Sequence, residues 1–446
     1  MCGIIGFTGN QPAADILLEG LARLEYRGYD SAGIAVMNGA SLSVQKAKGR
    51  LENLRALVSA TPPTGTTGIG HTRWATHGEP SDVNAHPHAD ESGRIVLVHN
   101  GIIENYRSLK AMLIKQGVHF ASETDTEVVV QLLSRAYRGD MIEAIRHTVG
   151  QLKGSFALGI LCVDYPGQIF CLRKDSPLIV GESKEGCFLA SDIPAILPYT
   201  RTVYMLESEE IAVLSATGVS FCDLLGGRIK KQATEITWDV KAAEKGGYRH
   251  FMMKEIREQP AVIHDTLSPY TEEKDGLLSP ANLPLPEEIA QNVGSVTLIG
   301  CGTAYHAGMV GQYLLERFVR LRAATDIASE YRYRDPLIEK DELVIVISQS
   351  GETADTIAAM RLAQKRGAKV LAVCNVVGST IAREADFVCH TCAGPEIAVA
   401  STKAYVSQLT VLYVLALYFA RVRGTMSAQE ISDLLKEFFT LPENAE

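Results

Sequence analysis

Cys2 directly follows Met1, and its small side chain permits removal of that methionine. The freed α-amine, with a pKa of about 7.7 to 8.0, can accept the proton of the adjacent thiol and turn it into a nucleophile. Four polar clusters at the ends of apolar runs could complete a site: HTRWATHGEP (71–80), NAHPH (84–88), HNGIIEN (99–105) and SETDTE (122–127). Asn100 beside Gly101 offers a side-chain amide and a backbone N–H, two donors suited to a tetrahedral oxyanion. Arg73 offers a planar fork for a carboxylate, and Asp125 the opposite charge for an ammonium group. Each has a plainer reading: a buried cysteine opening a strand, an Asn-Gly hairpin turn, a surface ion pair.

A second set lies about 250 residues on. The apolar run LVIVIS (343–348) leads into Gln349-Ser350-Gly351-Glu352-Thr353 and then a helical pattern, so hydroxyls and free backbone N–H groups converge where a phosphate is favoured. The turn Gly300-Cys301-Gly302-Thr303-Ala304 repeats this construction one unit earlier. With no basic residue in either loop, hydroxyls and amides must do the holding. An ordinary capped helix is the plainer reading of either turn alone.

These sets need elements to position them. Residues 2 to about 220 carry strand signals (CGIIGFTG, SAGIAVMN, SLSVQKA, GTTGIGHTRW, RIVLVHNGII, SFALGILCV, QIFCLRK, PLIVGE, CFLASD, EIAVLS), with helical patterns near 11–24, 50–59, 105–116 and 125–150. The expectation is an α+β layered domain with largely antiparallel sheets over 2–224. Residues 225–250 read as a linker and 251–294 as a helical connector. From 295 to 440, apolar strands (VTLIG, ATDIAS, LVIVIS, VLAVCN, FVCH) alternate with helices, which predicts an α/β doubly wound parallel sheet.

Composition sets outer limits. The chain has 446 residues, 46% of them apolar, enough for two or three cores. Its 43 basic and 52 acidic residues give a net charge of −9, which argues against nucleic acid as a partner. Met-Cys-Gly begins no signal peptide, so a cytoplasmic protein with reduced thiols is expected, and nine scattered cysteines make no disulfide scaffold. The apolar stretch from Tyr405 to Ala420 falls short of a bilayer span and reads as a buried helix, so no membrane partner is expected. Cys389-His390-Thr391-Cys392 lacks a second cysteine pair, so no metal is expected.

Cys2-Gly3-Ile4 and the string Arg73-Trp74-Ala75-Thr76-His77 resemble the glutaminase domain of the class II glutamine amidotransferases, which are N-terminal nucleophile hydrolases. The resemblance implies that Cys2 attacks the glutamine amide, with Asn100 and the Gly101 amide as oxyanion hole. It implies that Arg73, Thr76, His77 and Asp125 hold the amino-acid end, that Trp74 belongs to a lid, and that His86 lies in a family-like loop at the glutamine site. The turn YRGYDS (26–31) is shared with the family but has no chemical step assigned.

The second half resembles the sugar isomerase (SIS) domain, whose Ser-Gln-Ser-Gly-Glu-Thr stands unbroken at 348–353. Thr303, Ser348, Gln349, Ser350 and Thr353 are the implied sugar-phosphate contacts, joined by Val399 and Ser401 in the matching string Val399-Ala400-Ser401-Thr402-Lys403. Position 304, often serine in relatives, is alanine and is left out.

Together the halves resemble the isomerising glutamine:fructose-6-phosphate amidotransferases, the glucosamine-6-phosphate synthases. That implies glutamine and fructose 6-phosphate as substrates, glucosamine 6-phosphate and glutamate as products, internal delivery of ammonia, no cofactor and a homodimer, at the entry to amino-sugar biosynthesis. The family has two SIS domains in tandem, with its isomerising groups in the second and the tail after it. These 446 residues are expected to hold only the first, as a fragment or as a protein without the isomerase step. Another glutamine-dependent transferase would replace the 343–353 segment, and a phosphosugar-sensing regulator would leave the Cys2 set without use.

Overall fold

The computed structural model describes residues 2–236, 245–272 and 276–446. It divides into two compact units, Met1–Val240 and Lys241–Glu446.

The first unit is built on an 8-stranded and a 7-stranded sheet whose pairings are antiparallel. Period-two alternation explains the layering. Along the strand Gly3–Gly9, Ile5 and Phe7 pack against the helices Ala13–Leu24 and Leu51–Ala60, whereas Ile4 faces the other way, into a cluster with Ile69, Val96 and Val98. Along Ile95–Ile103 the same alternation sends Ile95 and Leu97 outward against Asp125–Ala136 and Met141–Val149. The layers therefore run helix, sheet, sheet, helix, as expected for a layered α+β domain.

Three details depart from the sequence reading. The helical pattern 125–150 is two helices, because Gly139 takes a φ of +101° and the Asp140 carboxylate caps the next helix by accepting from the Glu143 N–H at 3.1 Å. Thr202–Met205 and Gly218–Asp223 are strands the sequence did not single out. Within the segment expected as a linker, Arg228–Ile229 and Thr234–Glu235 add short edge strands to the two sheets.

The second unit carries a 5-stranded, all-parallel sheet in the order Arg322–Ile327, Ser295–Gly300, Glu342–Ser348, Lys369–Cys374, Phe387–His390. Helices follow the strands, and parallel pairing brings every carboxyl end to one edge, where ligand sites of such sheets form. The segment 251–294, expected as a helical connector, opens with two helices, Phe251–Arg257 and Gln259–Leu267, the second with Pro260 in its first turn. The 21-residue helix Lys403–Arg423 is long and apolar enough for a bilayer by length and composition, but Val414, Leu415, Phe419 and others along it are buried in the unit's core.

Candidate active site

The strand Gly3–Gly9 lies beside Thr67–Arg73, with Gly3 opposite Thr72, so Cys2 emerges at the strand end where Arg73 leads into Trp74. Cys2 Sγ accepts from the Trp74 N–H at 3.2 Å and stands 3.5 Å from the Trp74 carbonyl oxygen. Burial pushes the thiol above its ordinary pKa; the Trp74 N–H and Arg73 act in the opposite direction, and Asp125 raises it further. A thiol so placed stays protonated unless a base takes its proton.

Asn100 closes the site from the second sheet. Its Nδ2 donates to the Cys2 carbonyl at 3.1 Å, and its Oδ1 faces His71 Nε2 at 3.0 Å. Gly101 follows with a φ of +118°, and a Cβ there would come within 2.0 Å of the Ser155 carbonyl oxygen, so only glycine fits. The Asn100-Gly101 pair is thus part of a strand paired with Ala157 and Phe156 and not a two-residue hairpin turn.

Arg73 is 3% exposed. Its Nη2 donates to the His77 and Gly78 carbonyls, drawing the 73–78 loop closed, while Nη1 is buried without a hydrogen-bond partner among the described residues. Asp125 opens the helix Asp125–Ala136, capped by Thr124, and one of its oxygens accepts from the Ile103 N–H at 2.9 Å. Trp74 is exposed, with Tyr29 against it edge-on at 5.4 Å; Thr76 is exposed and lies 3.3 Å from His77 Nδ1. His86 sits deeper, stacked on His71 at 4.1 Å and bonded to Thr126 Oγ1 at 3.1 Å. It belongs to a buried cluster with His71, His88 and His99, all held below the ordinary histidine pKa by burial, His71 down to about 3.

At the carboxyl edge of the parallel sheet, Ser348 Oγ accepts from the Gly351 N–H at 3.0 Å and lies 3.2 Å from Thr353 Oγ1. Ser350 Oγ accepts from the Glu352 N–H at 3.2 Å, and the Glu352 carboxylate accepts from the Thr380 N–H and hydroxyl. Gln349 is half-buried in this turn. Thr353 and Gly302 precede the helices Ala354–Lys365 and Thr303–Leu314 without side-chain caps, and Thr303 is exposed. Val399 is 79% exposed on the loop after Phe387–His390, and Ser401 donates to Glu396 at 2.8 Å.

Two carboxylates that the sequence reading passed over shape that loop. Glu255 accepts from the Ile397 and Ala398 N–H groups, and Glu396 from those of Thr402 and Ala404. His71 and Asp30 were likewise missed; their only signal was their place inside strings already marked, HTRWATHGEP and YRGYDS. Cys389 is fully buried and Cys392 exposed, and the described residues contain no cluster able to hold a metal.

A layered α+β unit that gathers Cys2, Arg73 and Asn100, in one chain with a parallel α/β unit, has the plan of a two-part amidotransferase. Family models agree: residues 71–198 match the glutamine amidotransferase domain and 289–418 the SIS domain. The chain is 54% identical over 446 residues to the glutamine–fructose-6-phosphate aminotransferase (isomerizing) of Caldanaerobacter subterraneus, covering 100% of this chain and 73% of that protein. It is 52% identical to the same enzyme of Clostridium tetani, again over 100% and 73%. A solved C-terminal domain of glucosamine-fructose-6-phosphate aminotransferase from Francisella tularensis is 36% identical, covers 45% of this chain and 55% of its own, and superposes with a TM-score of 0.43. The chain belongs to the family of isomerizing glutamine–fructose-6-phosphate aminotransferases.

Proposed function

We propose that this chain takes ammonia from the side-chain amide of glutamine at Cys2 and that the nitrogen goes to fructose 6-phosphate, giving glutamate and glucosamine 6-phosphate. The observation that carries the reading is the Asn100 amide, donating toward Cys2 from a strand that also brings Gly101 to the site. The Cys2 thiolate attacks the amide carbon. Asn100 Nδ2 and the Gly101 N–H stabilise the oxyanion. Collapse expels ammonia with a proton from the α-ammonium, and water hydrolyses the thioester to glutamate.

Arg73, with one guanidinium nitrogen unpartnered among the described residues, suits the α-carboxylate, and Asp125 the α-ammonium of glutamine. Thr76 and His77 line the same loop, under Trp74 as lid. On the second unit, Thr303, Ser348, Gln349, Ser350 and Thr353 form the phosphate cradle, with Val399 and Ser401 as sugar contacts. A homodimer in the cytoplasm completes the reading.

The test is ¹⁵N-amide glutamine, with and without fructose 6-phosphate, followed by mass spectrometry of the released ammonia, together with intact mass after a glutamine-like electrophile. Labelled ammonia and a single adduct on Cys2, both lost in Cys2→Ala, are expected. An adduct on another cysteine with Cys2 untouched overturns the assignment.

A further inference from the structure

The turn Tyr26-Arg27-Gly28-Tyr29-Asp30-Ser31 is built against the backbone that touches the nucleophile. Its root is fixed by an ion pair of the buried Arg27 with the half-buried Asp192: Arg27 Nη2 lies 2.8 Å from Asp192 Oδ2, which also accepts from the Tyr26 hydroxyl at 2.5 Å. Arg27 Nη1 donates to the Ser191 carbonyl at 3.4 Å, and the Ser191 hydroxyl accepts from the Ile4 N–H at 2.9 Å. The root of the turn and the start of the Cys2 strand therefore share one anchor.

From that root the turn reaches Arg73-Trp74-Ala75 by backbone alone. A Cβ on Gly28 would lie 2.6 Å from the Arg73 carbonyl carbon and 2.7 Å from the Trp74 nitrogen, so no other residue allows the approach. Asp30 then grips both sides of Trp74. Its N–H donates to the Arg73 carbonyl at 3.0 Å, and its Oδ2 accepts from the Ala75 N–H at 2.9 Å. Between these two fixed points the Trp74 N–H is left pointing at Cys2 Sγ, 3.2 Å away.

We propose that Gly28 and Asp30 are positioning residues for the amidotransferase reaction, holding the Arg73–Ala75 backbone so that the Trp74 N–H donates to the Cys2 sulfur and stabilises its thiolate. This rests on the reading of Cys2 as nucleophile. A donor to the charged form favours that form, and in a buried site the effect is not diluted by water. The charged groups facing the sulfur are the amino terminus and Arg73, which help the thiolate, and Asp125, which opposes it; none is part of the turn. The Trp74 N–H is a contact that Asp30 can tune, its carboxylate acting on Arg73 but not directly on the sulfur.

The experiment reads the thiolate directly. In the full chain, the rate of Cys2 alkylation by iodoacetamide is followed by mass spectrometry from pH 6 to 10, beside glutaminase kcat and KM. Asp30→Ala is expected to raise the alkylation midpoint by about half to one pH unit, less than the roughly one to two units of a hydrogen bond to a charged acceptor removed outright, because the Trp74 N–H is displaced and not deleted. Its kcat at neutral pH should fall about 3- to 10-fold with KM nearly unchanged, matching the smaller thiolate fraction. Asp30→Asn, which keeps an oxygen for the Ala75 N–H, is expected to restore both. Should Asp30→Ala not fold, Gly28→Ala decides, since its Cβ displaces the Trp74 nitrogen while leaving Asp30 in place. A wild-type midpoint in a folded variant with lowered kcat overturns the proposal while Cys2→Ala remains inactive. Glutaminase activity surviving in Cys2→Ala overturns instead the reading on which it rests.

Discussion

His71 Nε2 lies 3.0 Å from Asn100 Oδ1 and 2.9 Å from the His99 carbonyl oxygen. Both partners accept, so that nitrogen carries the proton and His71 is the donor, an assignment made by the network. The Asn100 amide is thereby left one orientation, with Nδ2 turned to the Cys2 side. An oxyanion donor made from a side chain has to be held this way, because an unheld amide can present oxygen to the developing charge.

Asn100→Ala is expected to lower glutaminase kcat by about 10² to 10³, the loss of one oxyanion donor, with KM changed far less. His71→Phe removes the holder and should cost about 10- to 100-fold in kcat. In the double variant the loss should not exceed that of Asn100→Ala alone, since the histidine acts through the asparagine. Steady-state kinetics on the four proteins checks this, and additive losses would separate the two residues.

Arg73→Lys is expected to act on the other constant. The guanidinium spends Nη2 on the loop carbonyls of His77 and Gly78 and keeps Nη1 for a ligand, a division that a single ammonium cannot reproduce. Loss of one charge-assisted bond, about 1.5 to 3 kcal/mol, corresponds to a KM for glutamine raised about 10- to 100-fold. A fall confined to kcat would contradict the role.

The pH dependence of stability follows from the buried histidines. His71, His86, His88 and His99 are held neutral by burial, whereas the unfolded chain takes up protons near its ordinary value of about 6.5. A depressed folded value means stability that is present above about pH 6.5 and is lost as pH falls, for His71 down to about 3. The melting temperature of the first unit should therefore drop between pH 7.5 and 5.5. His88→Gln, which keeps an amide for Thr124 Oγ1, should give a shallower slope by scanning calorimetry. An unchanged slope would mean that His88 exchanges its proton freely.

What the sequence revealed and what it hid divide along a physical line. Cys2, Arg73, Asn100 and Asp125 were legible because their types suit a chemistry and they sit at the ends of apolar runs, where strands stop and sites form. Which strands stop together was not legible, since register between Gly3–Gly9, Thr67–Arg73 and Ile95–Ile103 is a long-range property. His71 and His86 illustrate the loss: adjacent polar strings gave no sign that two rings would stack at 4.1 Å and that only one would meet Asn100. The break near Gly139 was hidden for a different reason, because the apolar period resumes in phase after the turn. In the second unit, strand and helix order sufficed to place both turns on one edge, because parallel pairing leaves no other choice. The carboxylates of Glu255 and Glu396 gave no signal, since a glutamate holding backbone N–H groups looks in sequence like any solvated one.

The serines of the phosphate turn should separate by role. Ser348 is 3% exposed and its oxygen accepts from the Gly351 N–H, so Ser348→Ala strands a buried donor and is expected to lower the melting temperature of the second unit by about 2 to 6 °C. Ser350 is half-buried, its oxygen accepts only the short-range Glu352 N–H among the described contacts, and its own hydrogen remains to be given outward. Ser350→Ala should therefore leave the melting temperature nearly unchanged and weaken fructose 6-phosphate binding about 10- to 100-fold, the cost of one donor to a charged oxygen. Inorganic phosphate, titrated in the same calorimeter, should lose affinity in the same proportion, because the missing contact is to the phosphate and not to the sugar ring. Weakening of the sugar phosphate without weakening of phosphate would move Ser350 from the cradle to the ring, and a destabilised Ser350→Ala beside an unaffected Ser348→Ala would reverse the two roles.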